Sequence, residues 1–265
     1  MDANPAYDLV AMLPTNFMNQ HSIQEAYYKA FRNVDDKIWV YPKDGSEKFS
    51  KPTSWCTAEN DFQSAALEHA QANVVESSGI KALRSLLCSR GLSESEYTFV
   101  SQWIALHMLR NQRMRNAPSG LVKDYEHGFP AEFEKELLFL QSHYKFVHVY
   151  TSTTSSCFIT SDDPLLEFQC GEDMVLFLTI TPQKLVRLSP RIETLKCEEA
   201  CFEDFVNAMI WSKAFKYAFS HSDDVDVKKL EAIAEKWNMK PRWETQKVVI
   251  KGLLGGLPSR FQVQS

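Results

Sequence analysis

KFVHVYTS at residues 145–152, SCFITS at 156–161, MVLFLTITP at 174–182 and LVRLSP at 185–190 are the stretches whose reading decides the fold of this chain. The first two alternate polar with β-branched or aromatic residues. That is the pattern of strands with one covered face, because side chains on a strand point alternately to its two sides. The third is nearly all apolar and predicts a strand covered on both faces. Together they predict a sheet that begins mid-chain.

Working outward, the apolar period becomes helical on both sides. Toward the N-terminus, Ile23, Ala26, Tyr27, Ala30 and Phe31 recur at three and four, with Ser22 as N-cap and Glu25 at the capping-box position. Next come KIWVY at 37–41, a strand stopped by Pro42 and the Asp44-Gly45 turn, and a polar loop over 46–55. Helices are expected at roughly 58–77, 80–89, 94–116 behind the cap Ser93, and 130–141. Toward the C-terminus the period predicts helices over 198–219, with Phe202, Phe205, Ala208, Met209, Trp211 and Phe215 inward, and over 225–237. The tail from 252 holds Gly255, Gly256 and Pro258 but no P-loop lysine, and reads as a loop. The expected class is α+β, mostly helical, with a small mid-chain β-sheet joined by the N-terminal strand at 37–41.

A length of 265 residues suits one large domain spanning 1–265 and also fits two closely packed lobes; no linker forces a cut. The 17 Phe and 6 Trp supply ample core. A net charge of −5 argues against a surface that coats nucleic acid or anionic lipid as a whole, while leaving room for a local basic groove. The first residues lack a basic, then apolar, secretory signal, and no run approaches the roughly 18 apolar residues of a membrane span, so the cytoplasm is the expected compartment and no membrane partner is expected. The six cysteines, Cys56, Cys88, Cys157, Cys170, Cys197 and Cys201, include no CxxC pair and read as reduced thiols behaving as small apolar residues.

Three polar constellations carry chemistry. Asn19, Gln20 and His21 stand before the first helix, where side chains meet free N–H groups and bound anions, or simply cap the helix. Thr160-Ser161-Asp162-Asp163-Pro164 follows a strand; an acidic pair there can hold a divalent metal ion or act as base, and the same residues build an ordinary Asx or Ser turn before proline. His107, Arg110, Arg113 and Arg115 form a basic seam beside the apolar face of the 94–116 helix. That seam suits phosphate, whose oxygens match the guanidinium fork, and equally suits the macrodipole at a helix C-terminus. Glu68 and Glu76 lie two turns apart and pair with a basic neighbour or face solvent; Ser189-Pro190-Arg191 reads as a turn, since no GxSxG elbow surrounds Ser189.

Taken in order, Asn19-Gln20-His21 with Phe31, the strand at 37–41, Asp61-Phe62, Arg110, Phe158 to Pro164 and Leu188-Ser189-Pro190 resemble the bacterial family known as domain of unknown function 4238, over about residues 16–220. Residues 221–265 would then be a C-terminal helical extension and loop. The chain departs from the family pattern after His21, where an aromatic residue and then a proline are usual and Ser22 and Gln24 stand. The resemblance implies a mostly bacterial setting, often associated with mobile elements or defence, and brings no accepted reaction. It also implies that the three constellations share one pocket.

The function expected on this reading is a hydrolase or nuclease acting on a phosphate-bearing substrate, a nucleic acid or nucleotide, in the role of a toxin or antiphage effector. His21 would be base or metal ligand and Asp162 metal ligand or base. Arg110 and Arg113 would hold phosphate, with Asn19, Gln20 and Ser161 contacting substrate. The alternative is a non-catalytic sensor of a phage or host protein, with the same groups as a buried structural network.

Overall fold

The computed structural model describes residues 20–21, 25–59, 71–88, 91–116, 122–152, 157–170, 173–191, 194–196, 199–239 and 262–264. Its elements begin with β1 (Gln20–His21), α1 (Glu25–Tyr28), β2 (Ile38–Pro42), β3 (Phe49–Lys51), α2 (Thr53–Thr57) and β4 (Ala58–Glu59). Three helices follow: α3 (Ser77–Ser85), α4 (Glu94–Asn116) and α5 (Val122–His143). Next are β5 (Phe146–Thr151), β6 (Thr160–Ser161), β7 (Leu165–Cys170), β8 (Asp173–Thr181), β9 (Lys184–Ser189) and β10 (Thr194–Lys196). The order closes with α6 (Glu199–Lys213), β11 (Tyr217–Ser220), α7 (Val227–Lys236) and β12 (Gln262–Gln264). The class is mixed α+β. The chain divides into two compact units, Met1–Tyr27 with Thr57–Ser142, and Tyr28–Cys56 with His143–Ser265.

The first unit is built on α3, α4 and α5. Its long helix α4 starts at a capping box: Ser93 Oγ accepts the Glu96 N–H at 3.3 Å, and Glu96 Oε2 accepts the Ser93 N–H at 2.9 Å. Val100, Trp103, Ile104 and His107 follow on one buried stripe at helical spacing. Helix α3 crosses this stripe at Gly79. A Cβ there would lie 2.8 Å from Trp103 Cγ, so the approach is open only to glycine. The expected helix over 58–77 differs in its described parts. Ala58–Glu59 pairs antiparallel with Gln20–His21, and Ala72–Glu76 forms a widened π-type turn ahead of α3. Residues 60–70 lie outside the described residues.

The second unit carries two four-stranded antiparallel sheets, ordered β5-β9-β8-β7 and β3-β2-β11-β6. In the first, β8 is buried along six consecutive residues, Val175 to Ile180, as its apolar run predicts. The mid-chain strands are thus split: β5, β7, β8 and β9 make this sheet, while β6, from the 156–161 stretch, pairs with β11 in the other. Strand β2 lies in the other sheet, where Val40 faces Phe49 on one side and Phe219 on the other. The structure differs from the sequence expectation at several segments of this unit. Residues 49–51, inside the expected polar loop, form the edge strand β3. Residues 217–219, expected to end a helix, instead form β11 together with Ser220, because the helix stops at Lys213 and Phe215 turns out to solvent, 44% exposed.

Helix α6 packs on this unit through Phe202, Val206, Met209 and Ile210, spaced for one face. These join Phe158, Ile159, Leu166, Phe177 and Ala218 in one apolar cluster, with Leu230 of α7. Asp226 caps α7 by accepting the Lys229 N–H at 3.0 Å. The polar side chains Glu203 and Asn207 of α6 are nevertheless buried, on the side that meets Ser152, Cys157 and Ile159.

Candidate functional site

The strand-end motif Thr160 to Pro164 is a clamp on β11. Ser161 is buried and its Oγ accepts the Asp163 N–H at 3.1 Å, closing a serine turn. The Asp162 carboxylate accepts three backbone N–H groups, from Phe215 at 2.8 Å, Lys216 at 2.6 Å and Tyr217 at 3.1 Å. Burial pushes the Asp162 carboxyl up from its ordinary range, against the downward pull of those three donors and of the Lys216 ammonium. This clamp ends α6 and starts β11, which then pairs with β6 through Ala218 opposite Ser161 and Phe219 opposite Thr160.

The other sequence-selected residues fall in the first unit. Arg110 is fully buried; its Nη1 is ion-paired with Glu76, and its Nε and Nη2 donate to Gln71 Oε1 at 3.1 and 2.5 Å. His107 lies within the same helix stripe, its ring 4.1 Å from that of Trp103. Gln20 and His21 are described as backbone in β1, Arg113 as backbone in α4, and Asn19 lies outside the described residues. The structure therefore brings Arg110 together with Glu76 and Gln71, and Ser161 together with Asp162. Among the described residues no group of three or more His, Cys, Asp or Glu side chains is gathered as metal donors.

A different constellation appears at the opposite ends of the same two strands. β6 is preceded by Cys157 and β11 is followed by His221, so antiparallel pairing brings the two side chains together: Cys157 Sγ lies 3.7 Å from His221 Nε2. Both border a cleft of about 260 Å³ that also takes in Asn207, Asp204, Asp224, Asp226 and Lys229. Asn207 fixes the chain on both sides of Phe158, donating to the Cys157 carbonyl at 2.8 Å and accepting the Ile159 N–H at 3.0 Å. Tyr41 fixes the His221 loop in the same way, donating to the Ser222 carbonyl at 2.9 Å and accepting the Val225 N–H at 3.3 Å. Burial pushes the Tyr41 hydroxyl up to about 12, so it keeps the proton this pin requires.

The electrostatics of the pair are those of a neutral thiol beside a neutral imidazole. Burial, joined by the charges of Asp224 and Glu203, pushes the Cys157 thiol up, while the Gln183 side chain pulls it down. Burial lowers His221, partly offset by Asp224. His221 Nδ1 is buried and makes no hydrogen bond. A neutral imidazole with its Nε2 facing the sulfur can take the thiol proton as the sulfur attacks, which is general-base activation of a nucleophile.

No family model matches the chain, and no curated protein or solved structure matches it.

Cys157 and His221 are absent from the constellations selected by sequence. A solitary cysteine reads as a small apolar residue, and the two are 64 positions apart, so neither spacing nor local composition links them. The available signal is the arrival of Cys157 at the head of the strand Phe158-Ile159-Thr160, where a strand end holds a side chain in place, but the same is true of many core cysteines.

Proposed function

We propose that this chain is a hydrolase in which the Cys157 thiol is the nucleophile and His221 the general base. The observation that carries this is the 3.7 Å approach of Cys157 Sγ to His221 Nε2 inside a cleft. The hydrolase class expected from sequence is kept, and its nucleophile is assigned to the second unit. Asn207 and Tyr41 are positioning residues, the first for the nucleophile and the second for the base. A reducing compartment such as the cytoplasm suits a working thiol.

A phosphate-bearing substrate finds less support. The cleft presents the carboxylates of Asp204, Asp224 and Asp226 against one ammonium, and that ammonium, Lys229 Nζ, is 2.7 Å from Asp204. The sensor reading is favoured by a different observation, the enclosure of Arg110 with Glu76 and Gln71, which is what a structural network would require.

The test is turnover of a generic activated ester such as p-nitrophenyl acetate, with the acylated residue mapped by mass spectrometry. Wild type is expected to acquire a thioester at Cys157, and Cys157→Ala and His221→Ala to lose turnover while melting within a few degrees of wild type. Turnover retained by Cys157→Ala sets the proposal aside.

A further inference from the structure

Resting on the cysteine-hydrolase reading, the geometry points to Gln183 as the oxyanion donor of the site, and so to an acyl compound, an amide or ester carbonyl, as the substrate class. Gln183 Nε2 lies 3.9 Å from Cys157 Sγ, donating toward the sulfur that His221 Nε2 approaches at 3.7 Å. A donor beside the nucleophilic atom is where the carbonyl oxygen arrives when the sulfur reaches the carbonyl carbon. A preorganised N–H at that position stabilises the negative charge formed there.

The residue is exposed, but the turn that carries it is tied down. Its own N–H donates to Thr181 Oγ1 at 3.2 Å, and its carbonyl accepts the Ser152 N–H at 2.8 Å. The adjoining Pro182 carbonyl accepts the Phe158 N–H at 2.7 Å. The β8–β9 turn is thus bonded to the residue next to Cys157, and the amide is delivered to the sulfur by backbone contacts on both sides. The mechanism assigned to His221 does not use this group, and a base and thiol alone do not require it.

The Cys157 S–H proton passes to His221 Nε2 as the S–C bond forms, and the carbonyl π pair becomes an oxyanion that accepts the Gln183 N–H. Collapse of that oxyanion breaks the C–N or C–O bond, and the leaving group takes the proton from His221. Water, deprotonated by the same imidazole, then hydrolyses the thioester and restores the thiol. No oxidant, reductant or second substrate is needed.

Two probes separate this inference from the reading on which it rests. Iodoacetamide alkylates the thiolate by displacement at a saturated carbon, where no oxyanion forms; p-nitrophenyl acetate acylates through an oxyanion. In the full chain, Gln183→Ala is expected to slow formation of the Cys157 thioester by about 100-fold, the usual loss on removing one oxyanion donor. Its rate of Cys157 alkylation, measured at one pH, should stay within about 3-fold, while Gln183→Asn recovers part of the acylation rate. Unchanged acylation in Gln183→Ala overturns the Gln183 assignment while leaving Cys157 as nucleophile. Equal loss of alkylation and acylation also overturns it, because Gln183 would then act on the thiol alone. If Cys157→Ala still turns the ester over, the underlying reading fails as well.

Discussion

Asp162 accepts the backbone N–H of Tyr217 at 3.1 Å, the last of three consecutive N–H groups taken by one carboxylate. Through that contact the residue selected from sequence as metal ligand or base sets where β11 begins, and β11 ends one residue before His221. An acid chosen for its chemistry is thus tied to the position of another residue's imidazole.

Removing this carboxylate leaves three donors to find new partners. Asp162→Ala is expected to destabilise the chain by roughly 2–3 kcal/mol, the range for breaking hydrogen bonds to a charged acceptor and stranding their donors. Asp162→Asn, which keeps one acceptor oxygen, should lose less. Urea unfolding of the two variants checks the order. Asp162→Ala unfolding at the wild-type midpoint would show that the clamp holds nothing.

Arg110 and Glu76 provide a contrast between network and site. Because both are buried, Arg110→Ala or Glu76→Ala alone strands a charge and is expected to cost about 3–5 kcal/mol. The double replacement Arg110→Met with Glu76→Leu should cost less than either single change, since it removes both charges together. Chemical denaturation of the cycle measures this coupling. Additive losses, or a fully stable Arg110→Ala that has lost activity, would return Arg110 to a substrate-binding role.

Stability should fall as the medium is acidified through neutrality. Burial, with the Arg187 guanidinium nearby, lowers His148, and burial lowers His221. Both native values lie below the ordinary 6.5, so at these two rings the folded state binds fewer protons than the unfolded one in this window. Their contribution is fully present above pH 6.5 and is lost as pH falls toward the native values. Urea midpoints between pH 7.5 and 5.5 are expected to decline, with a shallower slope in His148→Gln. A slope as steep in His148→Gln as in wild type would contradict the burial of that ring.

Much of the fold was legible because its cause was local. The alternation in Phe146–Thr151, the apolar run of β8 and the Ser93–Glu96 box each act within a few residues. The stop of α6 was not legible, since a helical period continues through Phe215 while the group that ends it, Asp162, comes from 53 residues away. Leu165–Cys170 is a short strand whose partner β8 supplies the pairing rather than its own pattern. The site was less readable still. Ser161 and Asp162 stood out because turn residues and acids look functional in sequence, whereas Cys157 and His221 acquire meaning only from the pairing of β6 with β11.

Cys157 and His221 can be tested together by pre-steady-state acylation of the thiol with p-nitrophenyl acetate. Wild type is expected to form a thioester on Cys157 at a rate that falls by a factor of about 100 or more in His221→Ala, in line with the loss of a general base. An acyl group found on residues other than Cys157, or one formed on Cys157 as fast without His221 as with it, would rule out this nucleophile and base.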